Sequence, residues 1–217
     1  MRVNCRGMKL YTVPLAPNPT KVMLYLAERA AAGGDLPIEQ VMVNTLKGRQ
    51  REPEHLARNP FGTLPVLELD DGSFLRESLA IIDYLESKYP DGALASADPE
   101  QRAKARDLER IIELKIANPL AIYVHHKKSP LGLPPDPVQA AAIEEKIQAP
   151  LDFIEDTLSD DRELIAGADV STADFTLASH LQFVRFIDVD VIGERPNLRA
   201  WDKSYRERPA AKAVLKW

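Results

Sequence analysis

One cysteine among 217 residues excludes an internal disulfide framework, a Cys-x-x-Cys redox motif and a multi-cysteine zinc site. Such scarcity fits a reducing compartment. The four histidines, His55, His125, His126 and His180, are too scattered for a metal-binding tract, so no metal is expected. Long apolar runs are missing too: none approaches the ~18 residues of a membrane span. Met1 to Gly7 lacks the ~7–15-residue apolar stretch of a signal peptide and reads as an extension ahead of a domain that begins at Met8. A cytoplasmic protein with no membrane partner is the expectation. Positive charge is not in excess either. Twenty-eight cations against thirty-three anions give −5, which argues against broad nucleic-acid binding. A local basic cluster could still hold a small anion.

What is present describes a folded chain. With 45% hydrophobic and 28% charged residues it is not a disordered one. At ~150 residues per domain the length predicts one or two domains. Leu10 to Val13 is a short β-prone run ended by Pro14, Pro17 and Pro19. Val22, Leu26 and their neighbours recur at helical spacing until Gly33-Gly34. Ile38 to Val43 reads as a second strand, Lys47 to Arg51 as a cationic loop, and Glu54 to Arg58 as a short helix. Val66 to Leu69 and Phe74-Leu75 flank Asp70-Asp71-Gly72, a hairpin signal. Ser78 to Tyr89 is helical again. The order over residues 8–89 is βαβ-α-ββα.

Residues 90–97 carry Pro, Gly, Asp and Ser without periodicity and read as a linker. Residues 98–217 read as an all-α bundle. Asp98-Pro99-Glu100 is a helix start, and that helix is expected to run past Ile122 with a kink at Pro119. Val138 to Leu158 is a second long helix that Pro150 should break, and a third begins at Ser171.

Three segments carry chemistry. Thr63-Leu64-Pro65-Val66 sets a proline directly before a strand. A cis peptide there would present the Leu64 backbone to a ligand; a trans proline at a strand start is the commoner alternative. Glu77-Ser78 opens a helix whose N-terminus favours a carboxylate, while Glu77 suits an ammonium; a plain cap at Ser78 is the alternative. Ser171 and Asp174 are spaced as a capping box.

In their order and spacing these segments resemble the cytosolic glutathione S-transferase family, over Met8 to Trp217. Asn59-Pro60-Phe61-Gly62-Thr63-Leu64-Pro65 with Glu77-Ser78 looks like that family's glutathione-site pair. Gly167 to Asp174 resembles its capping motif, and Arg195-Pro196-Asn197-Leu198 with Trp201 and Arg208-Pro209 its C-terminal signature. The resemblance implies a thioredoxin-like N-terminal domain, an all-α C-terminal domain, a cis proline, glutathione as co-substrate and a homodimer. It assigns Leu64, beside Pro65, to the cysteinyl part of glutathione, Glu77 and Ser78 to the γ-glutamyl end, and Gln50 and Arg51 to the glycine carboxylate. Such an enzyme would transfer glutathione to a small apolar electrophile, or act on a peroxide or disulfide. A non-catalytic binder on the same fold is the alternative.

Family members place Tyr, Ser or Cys after the first strand. Here Pro14-Leu15-Ala16-Pro17-Asn18-Pro19-Thr20-Lys21 holds none of these. It looks like the Pro-Asn stretch of bacterial nu-like members, which points to Asn18 facing the thiol, with Thr20 second. A helix cap is the other reading of Asn18. A thiol of pKa near 8.5 is only about 3% thiolate at pH 7. Lowering that pKa by about two units takes ~2.7 kcal/mol. A helix N-terminus adds ~0.3–1 kcal/mol and an amide hydrogen bond to the anion ~1.5–3. Lys21 could add its charge, although a lysine there reads first as a snorkelling surface residue. Leu15 and Ala16 on one side, and Ile116, Pro119, Tyr123 and His126 on the other, are candidates for the second-substrate pocket; the latter group equally fits a domain-packing stripe. Cys5 lies outside the motif, so the reactive sulfur would be the ligand's.

Overall fold

The computed structural model describes residues 7–216, so Cys5 and the expected extension through residue 6 lie outside the described residues. Strand β1 (Lys9–Thr12) leads into α1 (Pro17–Ala31), and β2 (Glu39–Met42) follows. Short 3-10 turns, Thr45–Lys47 and Arg49–Arg51, stand where a cationic loop is expected. Then come α2 (Pro53–Arg58), β3 (Val66–Glu68), β4 (Phe74–Leu75) and α3 (Ser78–Lys88). The sheet order is β2-β1-β3-β4, with β1 parallel to β2 and β3 antiparallel to both its neighbours. This is the expected thioredoxin-like arrangement. Its central strand shows why. β-strand alternation sends Leu10 into the main core and Tyr11 to the opposite face, where it packs with Val43 and Val66. The Leu64–Pro65 peptide is cis.

The helical half begins at α4 (Pro99–Ile112), where the Asp98 carboxylate accepts the Glu100 N–H at 3.0 Å. A π-turn, Glu113–Ala117, joins α4 to α5 (Asn118–Lys128). Pro119 explains it: proline has no N–H for the Lys115 carbonyl and its ring crowds that oxygen, so the chain widens by one residue instead of breaking. Pro150 acts differently. The expected single helix over Val138 to Leu158 is two, α6 (Pro137–Lys146) and α7 (Gln148–Thr157). The break falls at Ile147, beside the carbonyl of Lys146 that the proline ring would strike. Next come α8 (Thr172–Arg185), α9 (Pro196–Glu207) and α10 (Pro209–Val214), the last two opened by their prolines. Among the described residues no helix is long and apolar enough to cross a membrane.

Helix α8 is buried from Ala173 to Val184, and α1 packs against it. The Ser171–Asp174 motif sets its start. Asp174 is 0% exposed and accepts four hydrogen bonds: Ile165 N–H (3.0 Å), Ser171 N–H (2.9 Å), the Ser171 hydroxyl (2.9 Å) and Trp201 Nε1–H (3.0 Å). Burial pushes its pKa up, and these donors oppose the shift.

The segment between α3 and α4 is held at several points. Arg29 donates to the carbonyls of Gly34, Tyr89 and Asp91 and pairs with Glu86 at 3.0 Å. Glu86 also accepts the N–H groups of Leu94 (3.2 Å) and Ala95 (2.7 Å). Gly92 lies so close to Gly34 that a Cβ there would sit 2.6 Å from the Gly34 Cα.

Replacing Asp174 with Ala strands three buried or half-buried N–H donors at once. The expected loss of unfolding free energy is about 3–5 kcal/mol by urea denaturation. A loss below about 1 kcal/mol would show that water satisfies those donors equally well.

Candidate functional site

The strand register gathers the candidate residues at one edge of the sheet. Tyr11 pairs with Val66, so the end of β1 and the start of β3 lie side by side. Leu67 pairs with Leu75 in antiparallel sense, which carries the end of β4 toward the same edge. Met42 pairs with Thr12 in parallel, adding the segment after β2. The first turn of α1, residues 45–51, Leu64–Pro65 and Glu77-Ser78 all leave the sheet at this edge. Two helices, α1 and α3, point their N-termini there, which favours negative charge.

The first turn of α1 has unusual chemistry. Its N-cap is Ala16, which has no side-chain oxygen, and Leu15 before it takes a left-handed φ of 72°. Asn18 is the second helical residue, which corrects the reading of it as a cap. Pro17 and Pro19 have no N–H, and that of Thr20 is spent on the Ala16 carbonyl at 3.0 Å. The Asn18 N–H is thus the one main-chain donor this turn can offer a ligand. The Asn18 side chain is half-buried, with its Oδ1 enclosed and without a hydrogen-bond partner. Thr20 is only 1% exposed and offers a ligand no surface.

The other expected contacts are placed as follows. Pro65 and Ser78 are buried, Leu64 is half-buried, and Glu77 and Arg51 are exposed. Ser78 is the first helical residue and Glu77 the N-cap, without a side-chain bond, so a Ser78 cap does not form. Gln50 is 9% exposed and its Oε1 has no partner. A clamp that the motif reading missed holds Thr63. The buried Asn59 donates through Nδ2 to the Thr63 carbonyl (3.0 Å) and hydroxyl (2.8 Å), and His55 Nε2 reaches the same carbonyl at 3.0 Å. Asn59 Oδ1 accepts the Phe61 N–H at 3.2 Å, a local turn that the Asn-Pro-x-Gly spacing could have signalled. Gly62 is required there: its φ is +65°, and a Cβ would lie 3.1 Å from the Gln50 carbonyl oxygen.

The expected pocket lining divides. Ile116, Pro119 and Tyr123 are buried, and Ile116 and Tyr123 belong to the main core, so these three form the packing stripe rather than an open wall. Leu15, Ala16 and His126 are half-buried and keep surface to offer. Adjacent to His126, His125 Nδ1 meets the Ser129 hydroxyl at 2.8 Å, and burial lowers its pKa, helped by His126.

Lys21 departs furthest from expectation. It is 0% exposed, not a surface residue. Its ammonium hydrogen-bonds Glu113 Oε2 and lies 3.9 Å from Glu109 Oε1. Glu109 is itself 0% exposed and accepts the Thr176 hydroxyl at 3.2 Å. Burial raises the Glu109 pKa, against the pull of Lys21. His180 Nδ1 meets the Thr176 carbonyl at 2.7 Å. Burial, reinforced by the Lys21 charge, draws the His180 pKa down to about 4.

The fold is shared with known proteins. Residues 10–95 match the family model of the glutathione S-transferase N-terminal domain, and residues 137–201 that of the C-terminal domain. Glutathione S-transferase 2 of Saccharomyces cerevisiae is 31% identical over 212 residues, 96% of this chain and 89% of that protein. Glutathione S-transferase F10 of Arabidopsis thaliana is 32% identical, with 93% of each chain covered. The crystal structure of Gtt2 from Saccharomyces cerevisiae superposes with a TM-score of 0.82 at 31% identity, covering 95% of this chain and 100% of that one. A glutathione S-transferase-I bound with lactoylglutathione gives 0.76 at 29% identity, covering 96% and 98%.

His180 makes stability depend on pH with a definite sign. The unfolded imidazole takes a proton near pH 6.5 and the folded one only near pH 4. Its contribution is complete above pH 6.5 and is lost as pH falls through that window. Denaturant titrations at pH 7 and pH 4 should assign about 3 kcal/mol of the difference to this residue. His180→Asn should flatten the profile by that amount; an unchanged slope would refute the attribution.

Proposed function

Because the chain belongs to the glutathione S-transferase family, we propose that it binds glutathione at the sheet edge and delivers the sulfur, as thiolate, to a small apolar electrophile. A carbon–sulfur bond forms, and the displaced group leaves with its bonding pair. The observation that carries this reading is the convergence of Asn18, Leu64–Pro65 and Glu77-Ser78 at one edge, under two helix N-termini. Each part of glutathione has a counterpart there. The Leu64 main chain pairs with the cysteinyl unit. Glu77 takes the γ-glutamyl ammonium, and Ser78 with the α3 N-terminus takes its carboxylate. Gln50, donating through its side-chain amide N–H, and the exposed Arg51 meet the glycine carboxylate. Asn18 gives its side-chain amide to the sulfur. Leu15, Ala16 and His126 line the second-substrate side.

The homodimer is carried over from the family resemblance, and exposed Phe61 (77%) and Leu46 (74%) are side chains it could cover. The single cysteine supports a cytoplasmic setting. The same thiolate would serve disulfide or peroxide reduction; the nu-like resemblance around Asn18 leans toward the disulfide. A non-catalytic binder is the second reading, favoured by the lack of Tyr, Ser or Cys between residues 14 and 21.

Calorimetric titration with glutathione, paired with turnover assays on electrophiles, disulfides and hydroperoxides, tests this. Binding with turnover is expected; binding without turnover would favour the second reading, and no binding would remove the first. Asn18→Ala should cost about 1.5–3 kcal/mol of thiolate stabilisation. That corresponds to a bound-thiol pKa higher by about one to two units and a kcat/KM at neutral pH lower by about 10–100-fold. An unchanged pH–rate profile would exclude the role.

A further inference from the structure

The Thr63 carbonyl receives more hydrogen bonds than it needs. Asn59 Nδ2 donates to it and His55 Nε2 reaches it, both at 3.0 Å. A carbonyl oxygen only accepts, so Nε2 carries the imidazole proton and Nδ1 a lone pair. That Nδ1 is enclosed without a partner, and His55 is only 2% exposed. Burying a polar nitrogen unpaired costs free energy that a leucine in the same place would not. Asn59 alone would satisfy the oxygen. What the second donor adds is direction: with both lone pairs engaged, the peptide plane cannot turn about a single hydrogen bond. The two donors are themselves fixed. His55 is buried in α2, and Asn59, which closes that helix, is tied to the Thr63 hydroxyl (2.8 Å) and the Phe61 N–H (3.2 Å).

The same peptide unit carries the Leu64 N–H. The Thr63–Leu64 peptide is trans, so its carbonyl and its N–H point opposite ways. Holding the one aims the other away from the donors on Thr63. Two hydrogen bonds to the carbonyl also polarise the amide and make its N–H the stronger donor. Leu64 lies just ahead of the β1–β3 ladder, which ends at the Tyr11–Val66 pair. Among the described residues neither its N–H nor its carbonyl has a partner, so both are open to a ligand. We infer that His55, together with Asn59, is a positioning residue for glutathione, holding the Thr63–Leu64 peptide so that the Leu64 N–H meets the cysteinyl carbonyl. The inference rests on the glutathione reading above. His55 acts through Thr63 and touches no reacting atom. A contact that only fastened α2 to the following turn would be complete with Asn59; the imidazole with its bare nitrogen is accounted for by the direction it gives the Leu64 N–H.

The test compares the full chain as wild type, His55→Leu and His55→Gln. Leucine fills the place without a donor, while glutamine sets an amide N–H where Nε2 stands. Glutathione affinity is read by calorimetry, and turnover by steady-state kinetics. His55→Leu should weaken glutathione binding and raise its KM about 10-fold, with kcat held within about twofold, because the contact is alike in ground and transition states. The pH–rate profile should not move, since the thiol is not touched. His55→Gln should recover most of the lost affinity. Equal weakening in both variants would leave His55 a packing role, wild-type affinity in His55→Leu would leave it none, and a loss carried by kcat would place it in the chemistry. Each of these overturns the inference and leaves the glutathione reading standing. A second measurement serves where His55→Leu does not fold. In the wild type, exchange of the Leu64 amide hydrogen, followed by NMR, should slow at least about 10-fold on saturation with glutathione. Unchanged exchange with glutathione bound would overturn the inference, and a wild type that binds no glutathione would overturn both.

Discussion

A lysine ammonium leaves water only where carboxylates meet it, and this requirement fixes how α1 lies. Lys21 belongs to the α/β half; Glu109 and Glu113 belong to the helical half. Their meeting sets the roll of α1 about its own axis. The same roll places Val22, Leu24 and Tyr25 in the core and Asn18 one turn ahead of the buried charge. The candidate-site edge of the sheet is oriented from the helical half as much as from its own.

The second fixed point is the carboxylate of Asp174. It ties the start of α8 to the Ile165 backbone and to Trp201 on α9. Because α8 is the helix on which α1 rests, the two buried charges act in series. One sets the position of α8 within the helical half. The other sets α1 upon it. Neither is a surface ion pair that salt would screen away.

Much of this was legible in the sequence. Period-two runs, the Asp70-Asp71-Gly72 turn and the return of helical spacing at Ser78 give the α/β order, because each signal is local. The capping box at Ser171 is likewise carried by residues three apart. Two of the misreadings share a cause: each depends on what lies across the molecule. Lys21 reads as a surface residue because its partners are about ninety positions away. Ile116, Pro119 and Tyr123 fit a pocket wall or a packing stripe equally well, and only the position of the neighbouring helices decides. Asn18 and Ser78 sit inside their helices rather than at the caps, a shift of one or two residues that propensity does not resolve. The π-turn follows from Pro119, but a proline in a helix can kink, break or widen it, and Pro150 shows the second outcome.

The segment between α3 and α4 looks in sequence like a flexible connector, yet Arg29, Glu86 and the Gly34–Gly92 contact fasten it along its length. It serves as a clasp rather than a hinge. The connector is pinned to the α/β half, and the halves cannot swing apart without exposing the Lys21–Glu113 pair and the core that α1 shares with α8. A chain nicked there would remain one particle, and its two pieces would melt as one.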